Sequence, residues 1–399
     1  MNVLLRKNTL KKRISWSVIV REVDQKGKRK DSYYSNPDTG KAFETKKQAK
    51  DFATELESSI NNRAFVKRSE ITFEEWLKVY LDTVEIKLKP STFASYKGKI
   101  RVHIVPNLGH IPLQELEGHH LNAFYIELGK SGRKSFAHSR GAGLSPRTIE
   151  YIATIIGASL QEGVKQGVLA RNVAKFATKP KVQRNPEAIK FWTPAELAIF
   201  LEAIEGHPLE NLYRFLAFTG CRRGEALYLS ERAIDFEKGK VTLSGTVGRV
   251  EGKLLVGSNK SERGYRTIEV DRELLKLLDR ELEKRASEKK LLGRGYESQN
   301  LVFAEPNGGY INPTRATRVF GEIVAKLDLP RITLHGLRHT HCSILLANGS
   351  SINYVAKRLG DDPATVMKTY AHILPSEGVE AVEGFLNLLN EAKEKHIRS

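Results

Sequence analysis

Between Lys175 and Lys190 the periodic apolar pattern of this chain stops. The stretch carries Lys175, Lys179, Lys181, Arg184 and Lys190 with two prolines, a composition that reads as a basic linker between separately folded parts. With 399 residues in all and about 150 residues per domain as a prior, two or three domains are expected. Lys and Arg number 65 against 47 Asp and Glu, a net charge of +18, and residues 1–70 alone hold 17 against 9. So uneven a surplus points to a polyanionic partner, usually nucleic acid. No stretch approaches the roughly eighteen apolar residues of a membrane span, and Met1 to Arg13 lacks the apolar core of a signal peptide, so a cytoplasmic location is expected. Two cysteines, Cys221 and Cys342, make no disulfide scaffold, and 40% hydrophobic content argues against disorder.

The amino-terminal segment alternates Ile14, Trp16, Val18 and Val20, the period of a half-buried strand, with a turn at Asp24 to Gly27 and a second strand at Tyr33 and Tyr34. A short third run at Ala42 and Phe43 precedes Thr45 and Gln48, a capping-box pair heading a helix through Ala49, Phe52, Ala53, Leu56 and Ile60. This small α+β unit, spanning 1–65, has Lys26, Lys28, Arg29 and Lys30 beside its first turn, which could lie against DNA or simply be solvated.

From Thr72 and Glu75, another capping box, the pattern turns helical. The spacing predicts helices through Phe73–Leu81, from Pro90 through Ile104, over Leu121–Leu128 and from Pro146 through Leu160. A polar, Gly-rich loop is expected between Gly129 and Gly143, and the whole of 70–175 reads as an all-α bundle. After the linker at 176–190, with Lys179, Lys181 and Arg184 as further DNA-contact candidates, Thr193-Pro194-Ala195-Glu196 opens a mainly α third domain over 191–399. Short strands between Val241 and Val270 give it a small antiparallel sheet.

Four short motifs carry the chemistry. Thr219-Gly220-Cys221-Arg222-Arg223-Gly224-Glu225 puts a Gly-broken turn before a helix on which Arg222 and Glu225 share a face. Lys260 sits in a turn before Arg266, His335-Gly336-Leu337-Arg338 places an imidazole and a guanidinium one helical turn apart, and Tyr370 follows Leu359-Gly360. His335 and His339 at i, i+4 have zinc-ligand spacing, but residue 336 is Gly where a metalloprotease needs its Glu, and no second ligand pair occurs, so no metal is assigned.

In this order the motifs resemble those of the tyrosine recombinases, the phage-type integrases, over essentially the whole chain, with the three-domain layout found in temperate phages and conjugative transposons. The resemblance implies an arm-type DNA-binding domain, a core-binding bundle and a catalytic domain. It implies Arg222, Lys260, His335, Arg338 and Tyr370 as catalytic, Glu225 as structural support, and no cofactor. Its partners would be double-stranded DNA attachment sites of core and arm types and further copies of the chain, a tetramer in the synapse, with room for an excision factor and a DNA-bending protein. The apolar stripe Val379, Val382, Phe385, Leu386 and Leu389 would form a tail helix that docks on a neighbouring subunit.

The chemistry is coherent without the family. A tyrosine hydroxyl attacks a phosphodiester when a base takes its proton and fixed cations stabilise the charge that builds on phosphorus. Arg222 and Arg338 are suited to that clamp, Lys260 to protonating the departing 5′ oxygen, and His335 to acid–base work near Tyr370. A 3′ phosphotyrosine would conserve the bond energy, so strands rejoin without ATP. One position departs from the family: Asp361 stands where His or Trp is usual. An ionised carboxylate only accepts hydrogen bonds, so Asp361 is expected to point away from the phosphate or to pair with a cation such as Arg338 or Arg358. Two alternatives to a recombinase remain at this point, a type IB topoisomerase-like relaxing enzyme and a non-catalytic DNA-binding regulator.

Overall fold

In the computed structural model the described residues are 2–10, 13–23, 28–37, 39–61, 69–133, 142–179, 190–258 and 264–373. They fall into two compact units, residues 1–183 and 184–399. Helices dominate, accompanied by small antiparallel sheets.

The first unit begins with a sheet in the order β1 (Asn2–Leu10), β2 (Arg13–Val23), β3 (Arg29–Tyr34), antiparallel throughout. The alternation of β2 turns Val18 and Val20 inward, where both are buried against Phe43, Ala49, Ala53 and Leu56. Phe43 comes from a short bridge to Trp16, and the other three come from α1 (Lys46–Asn61). Thr45 and Gln48 make both halves of the capping box at the start of that helix. The strand β1 is absent from the sequence reading because its apolar residues do not alternate cleanly: Leu4 and Leu5 are adjacent, and both stay exposed. The run at Ala42 and Phe43 is a single bridge, not a strand.

A separate helical core in the same unit is built from α2 (Phe73–Glu85), α3 (Pro90–Lys99), α4 (Val105–Leu108), α5 (Gly118–Ser131) and α6 (Pro146–Lys165). Thr72 and Glu75 close a full capping box on α2, and Ser145 caps α6 ahead of Pro146. Helices α3 and α4 are joined by a π-turn, Ile100–Ile104, closed by the N–H of Val105 on the carbonyl of Ile100. Pro106 explains it: proline has no N–H and crowds the carbonyl four residues back, and a widened turn just before it relieves both. The helix therefore continues past Pro106, where the sequence suggested a stop.

The second unit starts at α7 (Pro194–Ala203), capped by Thr193 and Glu196, and continues through α8 (Glu210–Thr219) and α9 (Arg223–Ala226). Strands β4 (Ile234–Asp235), β5 (Lys240–Leu243) and β8 (Arg266–Glu269) form one sheet, and β6 (Gly245–Val250) with β7 (Lys253–Ser258) form a hairpin. Helices α10 (Arg272–Leu292), α11 (Pro313–Val324), α12 (Gly336–Ala347), α13 (Ile352–Leu359) and α14 (Pro363–Tyr370) complete it. Trp192, Phe200, Tyr213, Phe215, Phe303 and Phe320 fill the main core. A smaller cluster of Cys342, Leu346, Val355, Ala356, Leu359, Val366 and Tyr370 binds α12, α13 and α14 together. Burial of aromatic side chains at this density is the chief stabilising term, each worth roughly 1.5–3 kcal/mol.

Candidate active site

Two left-handed helix ends set the site. Helix α8 stops at Gly220, φ +63°, where a Cβ would come within 2.6 Å of the His341 ring and 2.7 Å of Leu359. Only glycine fits this turn, which delivers Arg222 to the start of α9. Helix α13 stops at Gly360, φ +69°, and the N–H of Asp361 returns to the carbonyl of Ala356 at 3.0 Å.

Behind Arg222 lies Glu225, only 3% exposed. It accepts the backbone N–H of Arg222 at 2.8 Å and the Arg222 Nη1 at 3.1 Å, and it takes both Nη groups of Arg266 at 3.1 and 2.9 Å. Burial alone would raise the pKa of this carboxyl, but the Arg266 hydrogen bonds and charge, together with Arg222, outweigh it and hold the group below the usual range. Arg266 Nε in turn donates to the carbonyl of Arg358 at 2.7 Å, so β8, α9 and the end of α13 meet at one ion pair. The inward place of Arg266 follows from alternation in β8, where Arg266 and Ile268 are buried and Thr267 and Glu269 are not. In the sequence the signal for this residue is its place two before Ile268 in an alternating strand run.

Arg338, 4% exposed, donates Nη1 to the carbonyl of Gly220 at 2.9 Å and Nη2 to that of Leu359 at 2.8 Å. Asp361 then spans the two arginines, one carboxylate oxygen 2.5 Å from Arg222 Nη2 and the other 2.5 Å from Arg338 Nη2. Arg358, the other cation considered for Asp361, is engaged elsewhere, with Phe218 and Glu269 carbonyls and with His341 Nε2 at 3.1 Å. Burial and the neighbouring Arg358 push the pKa of His341 down to about 3, so its ring is neutral. Its Nδ1 then carries the proton and donates to the Ala217 carbonyl at 3.0 Å, leaving Nε2 to accept from Arg358.

Tyr370 ends α14 and is 6% exposed. Its hydroxyl is hydrogen-bonded to Nδ1 of His339. Burial, with Cys342 beside it, pushes the phenol pKa well above its ordinary value, while the charge of Arg338 pulls the other way. His339 lies at about 4, lowered by burial and by His335 and Arg338, and Cys342 at about 11, raised by burial. At neutral pH the tyrosine is therefore protonated and faces an unprotonated imidazole and a protonated thiol.

From the sequence, acid–base work near Tyr370 is expected of His335; the contact is made by His339. His335 stands at the N-terminal end of α12, whereas the end of α14 meets α12 one turn farther in. The pKa of His335 is lowered by the protein packed around it and by Arg338 and Arg222. The two imidazoles lie edge to face with centroids 4.9 Å apart, and Nδ1 of His339 is occupied by Tyr370. Their i, i+4 spacing had suggested only a metal pair. Lys260, Lys26, Lys181, Arg184 and the tail stripe from Val379 to Leu389 lie outside the described residues.

Of the remaining DNA-contact candidates, Lys28, Arg29, Lys30 and Lys179 are all exposed. Strand register puts Arg29 on the sheet face opposite α1, with Arg6, Asn8, Ser17, Arg21, Asp31 and Tyr33, and puts Lys30 across from Glu22 on the other face. On the first face Arg6 donates to the Tyr33 hydroxyl at 3.1 Å, and Arg21 pairs with Asp31 through two bonds of 2.8 Å.

Residues 190–377 match the Phage integrase family, and residues 72–129 match the N-terminal SAM-like domain of phage integrases. A Caldanaerobacter subterraneus protein named tyrosine recombinase XerC-like is 25% identical over 359 residues, covering 85% of this chain and 89% of that protein. The ICEBs1 integrase of Bacillus subtilis is 24% identical over 351 residues, covering 86% and 91%. Among solved structures, the Tn1549 transposon integrase in complex with a circular intermediate DNA superposes with a TM-score of 0.65 at 20% identity, covering 79% of this chain and 99% of that one. A lambda integrase tetramer bound to a Holliday junction gives 0.54 at 17%, covering 87% and 94%. Motifs, fold and relatives agree: the chain belongs to the phage integrase, or tyrosine recombinase, family.

Proposed function

We propose that the chain is a site-specific DNA recombinase that integrates and excises a mobile element through a 3′ phosphotyrosine intermediate. The observation that carries the reading is the Tyr370 hydroxyl held against His339 beside two arginines whose guanidinium groups converge on a single anion, the Asp361 carboxylate. A phosphodiester occupying that anion position would have Arg222 and Arg338 on its non-bridging oxygens.

In the proposed reaction His339 accepts the Tyr370 proton as the phenolic oxygen attacks phosphorus. The bond to the 5′ oxygen breaks, and Lys260 protonates the leaving group. The arginines offset the charge gained in the transition state, and Glu225, itself fixed by Arg266, holds Arg222 in place directly. His335, near both arginines, serves as a phosphate hydrogen-bond donor rather than as the partner of Tyr370. Attack of another strand's 5′ hydroxyl on the phosphotyrosine reverses these steps and reseals DNA without a nucleotide cofactor.

We assign residues 1–65 to arm-type DNA, on the strength of Arg6, Arg21, Arg29 and Tyr33, which share one sheet face. Residues 70–175 are assigned to core-site DNA, 176–190 to a basic linker and 191–399 to catalysis. The Tn1549 and lambda integrases are solved on DNA, the latter as a tetramer on a Holliday junction, and self-association on DNA is the matching proposal here. The test is a supercoiled plasmid carrying two attachment sites. Recombinant circles support the reading, and relaxation without exchange of flanks assigns the chain to DNA relaxation instead.

A further inference from the structure

We propose that Asp361 is a built-in, displaceable occupant of the phosphate site, one that keeps the arginine clamp neutralised until DNA of the right fit expels it. The inference rests on the recombinase reading and adds a regulatory device to it. Its starting point is the double bridge, with one carboxylate oxygen on each arginine at 2.5 Å. A carboxylate presents two oxygens to two guanidinium groups in the manner of the two non-bridging oxygens of a phosphodiester.

The bridge is not needed to position the arginines. Arg338 is fixed by the Gly220 and Leu359 carbonyls and is buried, and Arg222 is held from behind by Glu225. What the bridge does is consume donors. Each Nη carries two hydrogens; on Arg338 Nη2 one goes to Leu359 and the other to Asp361. A phosphate oxygen reaches that nitrogen only by taking the place of the carboxylate.

The carboxylate is also free to leave. Its side chain is 25% exposed, and that of Arg222 is 43% exposed, so the bridge lies at the solvent edge rather than in the core. The next helix does not depend on it: Asp362, not Asp361, caps α14 by accepting the N–H of Ala364 at 2.9 Å. The Asp361 backbone is anchored separately through its N–H to Ala356. Rotation of one side chain therefore opens the site without unfastening α14, which carries Tyr370. A small free anion gains only the contacts of this one site and must expel a tethered competitor, whereas attachment-site DNA brings the whole of its backbone contacts to the exchange.

Calorimetric titration of the full-length protein with inorganic pyrophosphate tests this, alongside cleavage of nicked attachment-site DNA. Asp361→Asn and Asp361→Ala should bind pyrophosphate at least about tenfold more tightly than the wild type, the scale of one charge-assisted hydrogen bond. Both variants should still form the Tyr370 adduct within about tenfold of the wild-type rate. Unchanged pyrophosphate affinity in both variants overturns the proposal. So does loss of cleavage with DNA affinity intact, since the carboxylate would then be part of the chemistry. If the wild type itself forms no adduct at Tyr370, the recombinase reading fails, while the calorimetry still decides whether Asp361 occupies an anion site.

Discussion

His339→Phe removes the ring nitrogen that meets the Tyr370 hydroxyl and keeps a planar ring of similar size in the same space. Tyr370 is buried, 6% exposed, so water is poorly placed to replace the lost acceptor. Cys342, the other polar neighbour, has a pKa near 11 and is protonated at neutral pH, so it cannot take the proton. Loss of a positioned general base costs about 10²- to 10⁴-fold in rate, or roughly 3–5 kcal/mol in barrier. The assay is single-turnover cleavage of nicked attachment-site DNA at saturating protein, read as covalent adduct against time. With His339 at about 4, the base is already unprotonated above pH 5, and the wild-type rate should show no downturn near 6.5, where an ordinary histidine titrates. An adduct rate for His339→Phe within about threefold of wild type would refute the role. So would a low-pH limb near 6.5 that disappears in His335→Phe, which would return the base to His335.

The other predictions concern the frame and the domains. Glu225→Gln leaves Arg266 buried without its counter-charge and should destabilise the catalytic unit by about 3–5 kcal/mol; a melting temperature lowered by less than about 3 °C contradicts that. Because the folded pKa of Glu225 is depressed, its contribution is present above the unfolded value near 4.3 and is lost as pH falls through the folded one. The wild-type advantage over Glu225→Gln should therefore shrink in acid. Gly220→Ala, at φ +63° with a Cβ 2.6 Å from His341, should weaken both folding and cleavage, and a neutral effect on both would show that the turn relaxes. A chain starting at Ile71 should cleave core-site DNA yet lose arm-site affinity in gel-shift assays, and equal affinity for every fragment would remove the arm assignment. Cleavage should persist in EDTA, the positive charge being supplied by Arg222, Arg338 and Lys260; loss of cleavage that zinc or magnesium restores would contradict this.

Local signals in the sequence were strong wherever the physics is local. Thr72 with Glu75, Ser145 with Pro146, and Thr193 with Glu196 mark helix starts because the capping groups lie within three residues of each other. The motif order likewise pointed to Arg222, Arg338 and Tyr370, which the fold brings together, the arginines on Asp361 and Tyr370 near Arg338. What the sequence could not display is tertiary pairing. His339 and Tyr370 are 31 positions apart, Arg222 and Asp361 are 139 apart, and nothing in one dimension says which turn of α12 the end of α14 will touch. Strand β1 was missed for a different reason, since Leu4 and Leu5 break the period-2 rhythm that reveals a strand.

The central claim is that Tyr370 becomes covalently joined to DNA. It is tested most directly by incubating the protein with a nicked attachment-site duplex whose cleaved 5′ fragment diffuses away, then digesting the product and mapping the DNA-linked peptide by mass spectrometry. The account predicts a 3′ phosphotyrosine on the peptide containing Tyr370, and none from Tyr370→Phe, which should bind the same DNA undiminished. An adduct on another residue, or one that persists in Tyr370→Phe, would contradict it.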